Sequence, residues 1–254
     1  MMRRLGLVCI AALAIAAILY AVGYGLGPAS SLQFRDRAYP PGFRELIVGS
    51  AISRLDPIAG LQPAPDATPS APGPRRSARE VCDALFRDPS VPAAGPANSA
   101  VQIAAFFDYR CPYCRTLSGI LADRHDRGDA RVNYHEWPVL GGPSDLAAHA
   151  ALAANRQGAY LAFHRRLMSS RFIPTLPLIE AVAAELGVDR PRLREDMASG
   201  EVAAAIRRST ALALGLGFAG TPVLVVGRTV IEGEVSRGQL ERAIAAAAGP
   251  AARC

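Results

Sequence analysis

Cys111-Pro112-Tyr113-Cys114 carries the clearest chemistry in this sequence. Two thiols at i and i+3 can close a small disulfide across the start of a helix. They stand between a strand-like run, VQIAAFF from Val101, and a helix predicted from about Pro112 to His125. Unpaired amides and the dipole at a helix start favour a thiolate. Cys111, at the open end, is expected to be the exposed, attacking thiolate. Cys114, one turn inside, is expected to be the shielded, resolving thiol. Pro112 suits a first helical turn, where its missing N–H is not needed. With Tyr113 it forms the dipeptide between the two thiols. Zinc would need a second ligand pair and covalent haem a His at position 115, which is Arg. His125, His135, His149 and His164 show no ligand-like pairing, so no metal is expected.

A second element, Gly220-Thr221-Pro222, stands immediately before the run PVLVV. A proline opening a strand offers no N–H to the ladder and can simply mark an edge. Beside a redox pair it has a sharper reading. A cis Thr221–Pro222 bond would bring that backbone against the disulfide and let Thr221 pair with a substrate's main chain.

The elements that must position these residues follow from pattern. RVNYHEWPV reads as a second strand. Ser144–Gln157 reads as an alanine-rich helix with Ser144 as its cap, and further helices are predicted near 158–169, 177–186, 190–198 and 200–215. PVLVV and TVIE read as a hairpin turned by Gly227-Arg228. Ser236–Ala248 closes the chain as a helix. Upstream, SAREVCDALF reads as a helix with Ser77 and Glu80 as a capping box. The stretch PGFRELIVGSAISRL fits either a short helix or a strand. Pro57–Pro74, with six prolines, reads as an extended spacer.

The ordered set FFDYRCPYC, WPVLG, AAHAALAANRQGAYLAFHRRLM and GFAGTPVLVVGRTVIEG resembles the DsbA-like thiol–disulfide oxidoreductases of the bacterial envelope. The resemblance covers roughly 100–248. It implies an α/β, thioredoxin-like fold with an inserted helical subdomain, and catalysis by Cys111, Cys114, Thr221 and Pro222. It implies a redox-active disulfide and no separate cofactor. Family members often carry a buried acid six residues before the nucleophile; here that position is Ala105. Asp108 and Glu136 are the acids that could take its place, against plainer readings as a loop cap and an exposed strand residue. Arg110 and Arg115 could favour the thiolate or be solvated surface. Tyr113 replaces the His of strongly oxidising members, which implies a less oxidising couple. The same motifs also occur in isomerases and reductases of this fold, which usually oligomerise through an amino-terminal element; a non-catalytic envelope assembly or binding factor is the third reading.

Leu5–Gly27 is one uncharged apolar run preceded by Arg3 and Arg4. Its length suits a membrane-spanning helix, and the arginines orient the remainder outward. The expected organisation is a signal-anchor over 1–27 (or a cleaved signal peptide), an amino-terminal extension and Pro-rich linker over 28–98, and the DsbA-like domain over 99–254 with its insertion at about 144–200. The expected location is the inner membrane with the catalytic domain in the periplasm, or the soluble periplasm after cleavage. The partners implied are exported proteins with cysteine thiols and a redox partner protein.

The chain has 254 residues and a formal charge of +6. No Lys is present, and beyond residue 27 there are 26 Arg against 22 acids, interspersed rather than massed. That distribution argues against nucleic acid as a partner. With Cys9 in the membrane and Cys111–Cys114 assigned to catalysis, Cys82 and Cys254 are left over. They can bridge, since domain ends often lie close together, or remain free, or bond another molecule.

Overall fold

Six consecutive residues of β-forming and small apolar character, Gln102–Phe107, make the central strand of the catalytic region, and all but the first are buried. In the computed structural model, which describes residues 32–47, 75–247, 249 and 253–254, this strand is the fourth of seven in one mixed sheet. The strands are β1 (Gln33–Asp36), β2 (Arg44–Ile47), β3 (Ala93–Ala94), β4 (Gln102–Phe107), β5 (Arg131–Glu136), β6 (Val223–Val226) and β7 (Thr229–Glu232). Their spatial order is β1-β2-β7-β6-β4-β5-β3. β4 pairs parallel with β5 and antiparallel with β6, and β6 returns as β7. The β6–β7 turn is the predicted Gly227-Arg228. Gly227 has φ +57°, the left-handed conformation that such a two-residue turn demands and glycine adopts without steric cost.

Eight helices surround the sheet among the described residues: α1 (Ala78–Phe86), α2 (Pro112–Asp126), α3 (Gly142–Asn155), α4 (Tyr160–Ser169), α5 (Leu176–Glu185), α6 (Arg190–Met197), α7 (Gly200–Gly215) and α8 (Arg237–Ala247). The parallel pair β4 and β5 is joined through α2, and α7-β6-β7-α8 completes the thioredoxin-like core. Helices α3–α6 are the helical insertion, beginning at Gly142 rather than 144. The expected Ser144 cap is corrected accordingly. Gly141 is the N-cap, Pro143 lies in the first turn, and the Ser144 hydroxyl is engaged elsewhere, by Asp108. The Ser77–Glu80 capping box opens α1 as read from the sequence.

Alternation along the strands sorts the core. Phe106, Trp137, Val223 and Val225 share a face with Phe43, Val81, Leu85, Leu212 and Phe218. His135 lies on that face, stacked on Phe106 at 4.4 Å, with its ring nitrogens at Leu85 O and Ser209 Oγ. Tyr134 and Glu136, one residue out of phase, point to the opposite face, where α2 and α4 pack.

The boundary expected at residue 99 does not follow the fold. β2 pairs with β7, α1 packs Val81 and Leu85 into the main core, and β3 pairs with β5. The open reading of PGFRELIVGSAISRL resolves as strand for Arg44–Ile47. The anchor expected over 1–27 and the Pro-rich spacer lie outside the described residues. Among the described residues, no helix is long and apolar enough to cross a membrane.

Candidate active site

β4 delivers the chain to Asp108, and the buried Asp108 carboxylate holds the turn that follows. Its Oδ1 accepts from Arg110 N at 2.7 Å and Ser144 Oγ at 2.7 Å, and its Oδ2 from Leu140 N at 2.9 Å. Its carbonyl accepts from Cys111 N at 3.2 Å. The loop-cap reading of Asp108 therefore describes what it does. Arg110 Nη1 donates to Leu140 O, so this side chain ties the loop after β5 to the site.

The turn leaves Cys111 as the N-cap of α2, with Pro112 in its first turn. Cys114 N donates to Cys111 Sγ at 3.2 Å. Cys111 Sγ lies 3.6 Å from Thr221 O, which accepts from its S–H. Thr221–Pro222 is cis, and Thr221 Oγ1 is buried with no hydrogen-bond partner. The structure thus gathers Cys111, Cys114, Thr221 and Pro222 at one place. Both site cysteines are free thiols.

One expectation is corrected. Cys111 is not exposed: it retains 2% of its surface, against 1% for Cys114. The capping position that brings Cys111 Sγ onto the Cys114 amide also turns it inward against the Thr221 carbonyl. The two thiols differ in electrostatics rather than in exposure. A hydrogen bond from the Cys114 thiol lowers the Cys111 pKa, and Cys114 N–H adds to this, while burial and Asp108 oppose it. Burial pushes Cys114 well above the ordinary thiol range, and its bond to Cys111 and the charge there push it further.

Beside the thiols lies a polar cluster that the sequence did not announce. Tyr109 and Tyr160 both donate to Glu136 Oε1, each at 2.9 Å. Tyr109 O is also 3.1 Å from His164 Nδ1, and His164 Nε2 is 2.9 Å from Ser118 Oγ. A tyrosine has one proton. With that proton on Glu136, His164 Nδ1 carries the N–H toward Tyr109, and Nε2 accepts from Ser118. The cluster joins the turn before Cys111, the helix bearing Cys114, β5 and the inserted helix α4. Glu136 is not an exposed strand residue; it keeps 2% of its surface. Burial raises its pKa well above the usual carboxylate value, against the two tyrosine donors, and its Oε2 has no partner. Burial depresses His164 to about 3 and His135 to about 4, so both are neutral.

No group of three or more His, Cys, Asp or Glu among the described residues could hold a metal ion. Outside the site, the structure joins Cys82 on α1 to Cys254, with S–S 2.10 Å.

The model of the DSBA-like thioredoxin domain family matches residues 102–245. The chain belongs to this family. DsbA-like proteins are thiol–disulfide oxidoreductases, and that is the enzyme class of this chain. They work through a redox-active disulfide without a separate cofactor, and act on proteins with cysteines. A thioredoxin-like oxidoreductase from Silicibacter pomeroyi DSS-3 is 43% identical, covering 65% of this chain and 96% of that one, with TM-score 0.62. The catalytic domain of Proteus mirabilis ScsC is 26% identical over 67% of this chain and 98% of its own, with TM-score 0.61. A probable disulfide bond formation protein D from Bacillus anthracis is 24% identical over 156 residues, 56% of this chain and 72% of that protein.

Proposed function

We propose that Cys111 and Cys114 are the redox pair, that Cys111 is the nucleophile, and that the enzyme oxidises exported proteins. The observation that carries this reading is the asymmetry of the two thiols: Cys111 Sγ accepts hydrogen bonds that favour its thiolate, while Cys114 is held as a thiol. A stabilised thiolate is a good leaving group and stabilises the reduced enzyme, which makes the disulfide form an oxidant.

A substrate thiolate attacks Cys111 Sγ of the Cys111–Cys114 disulfide. The S–S bond breaks, and Cys114 leaves as a thiolate that its buried setting drives to take up a proton. A second substrate thiolate then attacks the substrate sulfur of the mixed disulfide. Cys111 departs as the favoured thiolate, and the substrate carries away a disulfide. The two electrons stay on the enzyme dithiol until a redox partner protein removes them. Thr221 and Pro222 form the wall beside Cys111 against which the substrate main chain lies, and Pro112 and Tyr113 tune the pair. The periplasm fits this chemistry, because disulfides persist there and DsbA-like proteins are typically periplasmic. The apolar run over 1–27 would serve as anchor or export signal.

Trapping in an envelope extract tests this reading. Cys114→Ala keeps the nucleophile and removes the resolving thiol, so mixed disulfides with exported proteins accumulate at Cys111. Cys111→Ser traps none. Complexes trapped by Cys111→Ser instead would reverse the roles.

A further inference from the structure

The Cys82–Cys254 bond lies in a cavity of about 560 Å³ lined by Arg79, Cys82, Asp83, Arg87, Arg228 and Cys254. Arg79, Cys82 and Asp83 share one face of α1, as residues three and four apart do. Arg228 comes from the β6–β7 turn, where Cys254 Sγ also rests, 3.5 Å from Gly227 O. Three guanidinium groups thus meet two carboxylates, that of Asp83, already paired with Arg87, and the α-carboxylate of Cys254, which leaves a net positive charge. Among the described residues Arg79 and Arg228 make no ion pair, and Arg228 Nε is buried without a hydrogen-bond partner. A disulfide in a cavity with unneutralised positive charge attracts anions to its own sulfur atoms.

We propose that the Cys82–Cys254 disulfide is a second thiol-exchange site, which takes a small anionic thiol of the glutathione class. Cys254 is only partly buried, whereas Cys82 keeps 2% of its surface, so Cys254 Sγ is the sulfur within reach. The anionic thiolate attacks Cys254 Sγ and forms a mixed disulfide there. The Cys82–Cys254 bond breaks, and Cys82 departs as a thiolate beside Arg79 before taking a proton from water. A second thiolate of the same class attacks the mixed disulfide, leaving the oxidised dimer of the small thiol and the Cys254 thiolate. Two small thiols supply the two electrons. Reduction unties α1 from Cys254, whose Sγ rests against Gly227 O in the β6–β7 turn. The site is independent of the Cys111–Cys114 reading.

The test uses the oxidised full chain carrying Cys111→Ser and Cys114→Ser, so that only the second disulfide reacts. Reduced glutathione, neutral 2-mercaptoethanol and cationic cysteamine are compared at equal thiolate concentration, with Cys82 and Cys254 mapped by mass. Reduction by glutathione is expected to be roughly tenfold faster than by cysteamine at low ionic strength, the gap closing as salt screens the arginines. Adding Arg79→Gln and Arg228→Gln should remove most of that preference, and in the unaltered cavity the first adduct should sit on Cys254. Equal rates for the three thiols, no reduction by any of them, or a first adduct on Cys82 would overturn the proposal. The charge series on the Arg-containing protein decides the matter even if the Arg variants fold poorly.

Discussion

The amide of Cys114 donates to Cys111 Sγ across 3.2 Å, so the helix that carries the second cysteine is capped by the first. One contact thereby performs two tasks. It satisfies an amide that a helix start leaves without a partner, and it places positive polarity on the sulfur that must bear charge. The same turn keeps Cys114 inside the fold, where a charge is disfavoured. An asymmetric pair follows from a helix N-terminus and a spacing of three residues.

Glu136 makes a stability prediction. Burial favours its protonated form, so above its usual value of 4.5 the folded chain retains a proton that the unfolded chain has lost. Its contribution is present at acid pH and lost as pH rises. Glu136→Gln keeps an oxygen for Tyr109 and Tyr160 without the ionisation. Denaturant unfolding should show this variant more stable than the parent near neutral pH, with the difference vanishing at about pH 4 and below. A variant less stable at neutral pH would mean that the folded protein needs the carboxylate.

His135 and His164 act with the opposite sign. Their folded values of about 4 and about 3 lie below the ordinary 6.5. The unfolded chain therefore binds protons first as pH falls, and the stability that these neutral rings contribute above 6.5 is lost on the way down through the folded values. Fully titrated, the loss is on the order of 3 kcal/mol for His135 and roughly 5 kcal/mol for His164. Chemical unfolding across this range should fall steeply between about pH 6.5 and 4, and His164→Gln should flatten the fall. An unchanged slope would show that His164 is not neutral in the fold.

Much of the site was legible because it is local in sequence. Strand, CxxC and helix follow one another within β4 and α2, and Thr221-Pro222 opens a strand of four buried residues. What stayed hidden depends on distant contacts. QFRD and RELI are too short to display a period, and the strand Ala93–Ala94 is shorter still. Glu136 looked exposed at the end of a strand because its partners, Tyr109 and Tyr160, are 27 and 24 residues away. His164 reaches Tyr109 across 55 residues. The period-two alternation does carry a signal, since it sets Glu136 on the same face as Tyr134. The burial of Cys111 is not legible locally, because the helix start gives its polarity while the covering carbonyl comes from Thr221, 110 residues on.

The Cys82–Cys254 bond closes a loop of 172 residues and fastens α1 to Cys254. Cys82→Ser with Cys254→Ser should destabilise the oxidised protein by about 2–5 kcal/mol, because the unfolded chain regains the freedom that the link removes. Guanidinium unfolding of the two proteins, with Cys111 and Cys114 reduced in both, measures the difference. Equal midpoints would mean that the link contributes nothing.

The central claim, that Cys111 is the thiolate of the pair, is tested most directly by ultraviolet titration of thiolate absorbance in the reduced Cys111–Cys114 protein with Cys82–Cys254 intact. The account requires one thiolate to appear below the ordinary thiol value of about 8.5, to persist in Cys114→Ser, whose hydroxyl still donates, and to vanish in Cys111→Ser. A low-pH thiolate that survives Cys111→Ser, or none below the ordinary value in the unaltered protein, would contradict it.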